Sequence, residues 1–132
     1  MTIVQEPVWI TKAIAIAIHE RQLAEHGGGS GVRDEGLLES ALGKPQNLFF
    51  YSDAQVDLAA MAASYAYGIA RNHPFIDGNK RSALVVSRTF LRLNGADIVT
   101  TKEDKYLTFL ALAAGDVPED ELAAWFRKNM KG

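Results

Sequence analysis

The sequence contains no cysteine. That excludes a disulfide framework, a thiolate zinc site and a cysteine nucleophile, and it fits a reducing compartment. Long apolar runs are also missing. The longest, such as Ala13 to Ile18, are six residues, where a membrane span needs about 20. Met1 is followed by neither a basic stretch nor the apolar core of a signal peptide, so the expected location is the cytoplasm. Nor is there an excess of positive charge: 14 Lys and Arg stand against 16 Asp and Glu, for a net charge of −2. Proteins held to nucleic acid or anionic lipid by bulk attraction are normally basic, so neither is an expected partner.

What remains is a chain of 132 residues, 48% hydrophobic and 23% charged. Those are ordinary values for one globular domain, and a single domain over residues 1–132 is expected. Ala and Leu are abundant and the glycines fall between periodic segments, which predicts helices joined by short loops. The fold class is therefore all-α, a compact bundle of about six helices.

The first helix is expected from about Pro7 to Glu25, ended by Gly27-Gly28-Gly29. The second starts after Asp34 as N-cap, with Leu37, Leu38, Ala41 and Leu42 at helical spacing, and is expected to stop at Gly43 and Pro45. A loop from Lys44 to Asp53 then carries Phe49, Phe50 and Tyr51. A third helix spans about Ala54 to Arg71, with Leu58, Met61, Ala62, Tyr65, Ala66 and Ile69 as its inner stripe. A fourth runs from Asn79 to Leu93, where Asn94-Gly95 is a left-handed cap signal. A fifth begins at Thr101 and reaches about Ala114. The sixth has Pro118 at its first position, Glu119 to Glu121 complementing the dipole, and Arg127, Lys128 and Lys131 at its end. Ala96 to Val99 reads as extended, but too short for a sheet.

One stretch stands apart: His73-Pro74-Phe75-Ile76-Asp77-Gly78-Asn79-Lys80-Arg81. Pro74 disfavours helix at His73, Gly78 permits a turn, and Asn79 is a good N-cap for the helix that follows. A helix N-terminus offers unpaired N–H groups and partial positive charge, which suit an anion. Lys80 and Arg81 in the first turn oppose the helix dipole at a cost of roughly 0.3–1 kcal/mol each if exposed, and a docked phosphate would reverse that sign. A titratable base, a carboxylate, an amide nest and two cations are the parts for phosphoryl-type transfer. Each also has a plainer reading: a histidine before proline as a helix cap, Asp-Gly as a turn, Lys-Arg as solvated. Phe75 reads as a plug pinning the loop to the core.

The stretch resembles the Fic/Doc family signature, His-Pro-Phe-x-Asp/Glu-Gly-Asn-x-Arg, at every fixed position. Gly31-Val32-Arg33-Asp34 leading into Leu37 to Leu42, and Phe90 to Gly95, resemble Doc-like members of that family, so the likeness covers roughly Pro7 to Gly95. The resemblance implies an all-α fold with the active-site loop between two central helices. His73 would be the general base and Asp77 would hold Mg²⁺. The amides of Gly78, Asn79 and Lys80 would form the anion hole, with a further donor from the Asn79 side chain. Lys80 and Arg81 would neutralise the phosphates of a nucleoside triphosphate such as ATP. The Lys44–Asp53 loop falls where the family has its target-binding flap.

Adenylylating Fic members usually carry glycine where this sequence has Lys80 and a second arginine where it has Leu84. Doc-like members transfer a terminal phosphate, and this sequence sides with them at both positions. Gly78 leans towards Fic, since the founding Doc protein has alanine there. The implied function is a toxin of a type II toxin–antitoxin pair that phosphorylates a translation protein, elongation factor Tu, and arrests translation. The alternatives are protein adenylylation and a non-catalytic helical binding module. The inhibitory motif of many Fic proteins, Ser/Thr-x-x-x-Glu-Gly/Asn, is absent, because Gly31 stands four residues before Glu35. Inhibition is therefore expected in trans, from the helical tail of an antitoxin.

Other candidates have plainer readings. His19 and His26 lie seven apart on the first helix with Glu20 and Glu25 nearby, a conceivable metal site, but no ligand cluster completes a sphere and solvated polar positions are expected. Gly27-Gly28-Gly29-Ser30-Gly31 lacks the context of a P-loop and reads as a flexible connection. Arg33 and Asp34 are candidate antitoxin contacts, Asp34 being already explained as a cap.

Overall fold

The computed structural model describes residues 5–52 and 56–132. Among these are six helices: α1 (Lys12–His26), α2 (Glu35–Tyr51), α3 (Leu58–Asn72), α4 (Asn79–Leu93), α5 (Lys102–Ala113) and α6 (Glu119–Asn129). Two short strands, β1 (Asp97–Ile98) and β2 (Met130–Lys131), pair antiparallel. No helix among the described residues is long and apolar enough to cross a membrane. The all-α expectation holds.

The helix starts follow local chemistry. Thr11, Asp34, Asp57 and Thr101 are N-caps whose side chains accept from the N–H three residues on, satisfying donors the helix leaves open. Helix α1 therefore begins at Lys12, not Pro7. The described residues before it form no helix or strand and are tied by Asn94, whose Oδ1 accepts from the Val8 N–H at 2.7 Å and whose Nδ2 donates to the Val8 carbonyl at 3.0 Å. Thr101 and Pro118 cap α5 and α6 without being their first helical residues. Helix α3 starts at Leu58; the expected start at Ala54 lies outside the described residues.

Helix α3 is the axis of the bundle. Its small residues (Ala59, Ala62, Ala63, Ala66) are buried and let α2, α4 and α6 pack around it. Gly68 allows close approach to α2: a Cβ there would lie 3.3 Å from the Ala41 backbone. Tyr65, fully buried, accepts from the Ile10 N–H at 3.0 Å, and burial pushes its phenol up to about 12. Phe90 of α4 packs between Tyr65 and Trp9, with centroids at 5.0 and 6.1 Å. Truncating such a residue costs about 3–5 kcal/mol.

Two expectations are overturned. Helix α2 does not stop at Gly43 and Pro45; it continues to Tyr51, with Pro45 buried inside it. The expected loop from Lys44 is therefore helix as far as Tyr51, and Asp53 lies outside the described residues. An interior proline costs about 3 kcal/mol. Opposing that cost, Phe49 packs edge-on against Trp9 at 5.8 Å, and Lys44 pairs with Glu119 of α6. The second correction is the ribbon: Asp97–Ile98 finds a partner in Met130–Lys131, so Lys131 belongs to a strand and not to the end of α6.

Candidate active site: the loop between α3 and α4

The loop of residues 73–78 leaves α3 through a left-handed turn. His73 is its C-cap at φ 47°, ψ 56°, the one non-glycine with positive φ among the described residues. Pro74 disfavours right-handed helix at His73, and the left-handed conformation costs about 1–2 kcal/mol. The cost is met by contacts. The His73 N–H donates to Ile69 at 3.1 Å. Its carbonyl accepts from Arg33 Nε at 2.7 Å, while Arg33 Nη2 donates to the Asn72 carbonyl at 2.8 Å. The imidazole is left exposed and has no hydrogen-bond partner among the described residues. It borders a cleft of about 360 Å³ between the end of α3 and the α5–α6 turn, lined also by Tyr67, Arg71, Leu112 and Gly115.

Below His73 the loop is docked main chain to main chain on the segment joining α1 and α2. Arg33 and Asp34 N–H both donate to the Pro74 carbonyl, at 2.7 and 3.1 Å, and the Ile76 N–H donates to Gly31 at 3.1 Å. Val32 and Phe75 form an isolated antiparallel bridge. The glycine-rich segment is thus packed against the loop, not a free connection. Arg33, considered as an antitoxin contact, is engaged inside this chain.

Phe75 is fully buried, as expected of a plug. Its backbone is closed by Asn79, whose Oδ1 accepts from the Phe75 N–H and whose Nδ2 donates to the Phe75 carbonyl, both at 3.0 Å. Asn79 is the first residue of α4 and not its N-cap; the N-cap is Gly78, at φ 75°. The expected side-chain donor from Asn79 is therefore turned back into the loop. Its backbone N–H remains, with those of Lys80 and Arg81, among the donors that the first turn of a helix leaves without an intrahelical acceptor.

Asp77 is exposed and in no ion pair. Its Oδ1 accepts from the Gly78 N–H at 2.8 Å and its Oδ2 from the Gly29 N–H at 3.4 Å. Of the three amides expected to form an anion hole, that of Gly78 is thus engaged by the neighbouring carboxylate. Among the described residues no three or more His, Cys, Asp or Glu converge as a ready-made metal cluster.

Lys80 and Arg81 open α4 with no acidic residue in its first turn, and neither is in an ion pair. Lys80 lies over the Tyr106 ring, 5.3 Å from its centroid. With Arg81, Leu84, Lys102, Lys105 and Tyr106 it lines a second cleft of about 380 Å³ between α4 and α5. His73 and the two cations thus line different clefts.

His19 is the residue that sequence reasoning missed. Far from solvated, it is 1% exposed, stacks on the Phe75 ring at 4.0 Å and 5°, and places Nε2 2.8 Å from the Asp77 carbonyl. One signal pointed that way: His19 sits one turn after Ala15 on the buried face of α1. His26 is exposed, as expected.

Fold and site together define an all-α domain in which a histidine and an anion-receptive helix start share one short loop. The description "Fic/DOC family" matches residues 9–91, a span that covers α1 to α4 and the whole loop. The chain belongs to the Fic/Doc family. It is 34% identical over 113 residues to "Protein kinase doc" of Escherichia phage P1, covering 86% of this chain and 88% of that protein. It is 43% identical over 72 residues to "Toxin Doc" of Mycolicibacterium smegmatis (strain ATCC 700084 / mc(2)155), covering 54% of this chain and 55% of that one.

Proposed function

We propose that this protein is a Doc-type toxin that transfers the terminal phosphate of a nucleoside triphosphate, ATP in the simplest case, to a hydroxyl of a translation protein. Elongation factor Tu is the expected acceptor and a cognate antitoxin, acting in trans through a helical tail, the expected restraint. The observation that carries the reading is the start of α4. Lys80 and Leu84 stand together on the α4–α5 cleft, where adenylylating members of the family have glycine and a second arginine. The similarity to a protein named as a kinase supports the same choice.

In this mechanism the acceptor hydroxyl loses its proton to His73 as its oxygen bonds to the γ-phosphorus. The bond from that phosphorus to the β–γ bridging oxygen breaks, and the nucleoside diphosphate leaves. The exposed, unpartnered ring of His73 is available to act as general base in that step. Lys80, Arg81 and the open amides of the first turn of α4 offset charge on the phosphates, Arg81 by its planar fork.

The residues fit Mg²⁺. That ion is usually held by one or two carboxylates together with substrate phosphates and water, and Asp77 is an exposed carboxylate in no ion pair. Asp77 would hold the ion, which when bound neutralises and orients the phosphates.

The test is label transfer. Purified protein is incubated with elongation factor Tu and ATP labelled at either the α or the γ phosphate. Label reaching the acceptor from the γ position, and lost in His73→Ala, is the expected result. Label arriving from the α position would replace this reading with adenylylation, the reaction that Gly78 favours.

A further inference from the structure

Burying an imidazole is unfavourable unless its polar atoms are bonded, yet His19 is 1% exposed on α1. Two contacts account for it, and both go to the loop between α3 and α4. The ring lies flat on Phe75, and Nε2 sits 2.8 Å from the Asp77 carbonyl oxygen. A carbonyl only accepts, so Nε2 carries a proton and donates it.

The bonded carbonyl belongs to the peptide between Asp77 and Gly78. A trans peptide is planar, with its N–H directed opposite to its C=O. Holding the oxygen on the α1 side therefore points the Gly78 N–H the other way, where Asp77 Oδ1 accepts it at 2.8 Å. Glycine at φ 75° offers little steric resistance to rotation of this peptide, so its direction needs an external tether. No other hydrogen bond to the Asp77 carbonyl occurs among the described residues.

We infer that His19 is a positioning residue: by stacking on Phe75 and holding the Asp77 carbonyl, it sets the direction of the Gly78 N–H and of the Asp77 carboxylate. Its link to catalysis rests on the reading that this loop holds a nucleotide and its metal. Misplacing a reacting group by about 1 Å can cost of the order of 10²-fold in rate.

Two variants separate the contacts. His19→Phe keeps a ring against Phe75 and removes the donor. His19→Gln removes the ring and keeps an N–H near the Nε2 position. Each is compared with wild type by thermal melting, by the chemical shift and exchange rate of the Gly78 amide, and by kcat and KM for transfer. His19→Phe is expected to melt cooperatively, with Gly78 amide exchange at least tenfold faster and kcat at least tenfold lower. His19→Gln is expected to recover the Gly78 signal and most of kcat. An unchanged Gly78 amide in His19→Phe, or no recovery in His19→Gln, overturns the inference and leaves His19 a packing residue. Should His19→Phe fail to fold, wild type decides: a slowly exchanging Nε2 proton with a scalar coupling across the hydrogen bond to the Asp77 carbonyl carbon is required, and its absence overturns the inference. Both amide readouts hold even if the wild type transfers no phosphate, so failure of the functional reading is told apart from failure of this one.

Discussion

Arg33 holds the carbonyl of His73 at 2.7 Å, and through its other nitrogen the carbonyl of Asn72. The residue proposed as the base therefore owes its left-handed backbone to an arginine 40 positions earlier. Arg33→Ala leaves both carbonyls at the α3 end without these charged donors, each worth about 1.5–3 kcal/mol when buried and less at this exposed site. The expected outcome is a loss of about 1–2 kcal/mol in stability by urea melting. Transfer activity should fall at least tenfold. Arg33→Lys, which cannot span two carbonyls with a fork, should recover less than half of either. Full activity in Arg33→Ala would show that His73 keeps its turn unaided.

Asn79 closes the Phe75 backbone by two hydrogen bonds in a buried setting. Asn79→Ala strands one N–H and one C=O, each costing about 1–3 kcal/mol. Asn79→Asp keeps an acceptor for the Phe75 N–H but sets a carboxylate against the Phe75 carbonyl. Both are expected to destabilise the fold by more than 2 kcal/mol in calorimetry, as structural and not phosphate-binding side chains do. A loss of nucleotide affinity at unchanged melting temperature would reverse that assignment.

Gly28 lies at φ 123°, and a Cβ there would come within 2.8 Å of Asp77 Oδ2. Gly28→Ala should therefore swing the Asp77 carboxylate aside as well as strain the backbone by about 1–3 kcal/mol. The expected signature is weaker Mg²⁺-dependent nucleotide binding, shown by titrating Mg²⁺ at fixed nucleotide. Gly27→Ala, where a Cβ meets nothing within 4 Å, should show the backbone cost alone.

Asp77→Asn and removal of divalent metal with EDTA should have the same effect on wild-type transfer, a fall of at least tenfold, and should not compound. Undiminished transfer in EDTA would remove the metal from the reaction.

Acid stability should report two carboxylates away from the site. The Arg88 guanidinium first, then the Ile98 N–H and Arg92, hold the Asp97 carboxyl well below the usual range, and Arg127 lowers Asp57. A depressed carboxyl stabilises the fold above its unfolded value of about 3.9 and loses that contribution as pH falls through its folded value. Stability should therefore drop between about pH 4 and pH 2. In Asp97→Asn the drop should be smaller, with a loss of about 1 kcal/mol at pH 7, since both arginines are partly solvated. An equal drop in both proteins would exclude the Asp97 cluster as its source.

Much of this was legible in the residues. The cap at Asp34, the span of α4 and the composition of the loop are local properties, and local chemistry announces them. What escaped depended on partners far along the chain. Pro45 reads as a stop because its own helix loses a hydrogen bond, and the packing of Phe49 on Trp9 that offsets the loss lies 40 residues away in sequence. Asp97–Ile98 is too short to declare itself a strand until Met130–Lys131 is beside it. His19 reads as polar and solvated because nothing in α1 shows that Phe75 will cover it.

The docking of residues 31–34 on 74–76 uses backbone atoms on both sides. Such contacts are indifferent to side-chain identity, except where proline or a strained φ intervenes. Ser30 and Ile76, both exposed beside this seam, are therefore free to drift in sequence while His73 and Asp77 keep their register. Relatives that diverge at these two positions should still superpose through the loop. A library randomised at Ser30 and Ile76 offers a way to search for altered acceptor preference without rebuilding the mount on which the chemistry sits.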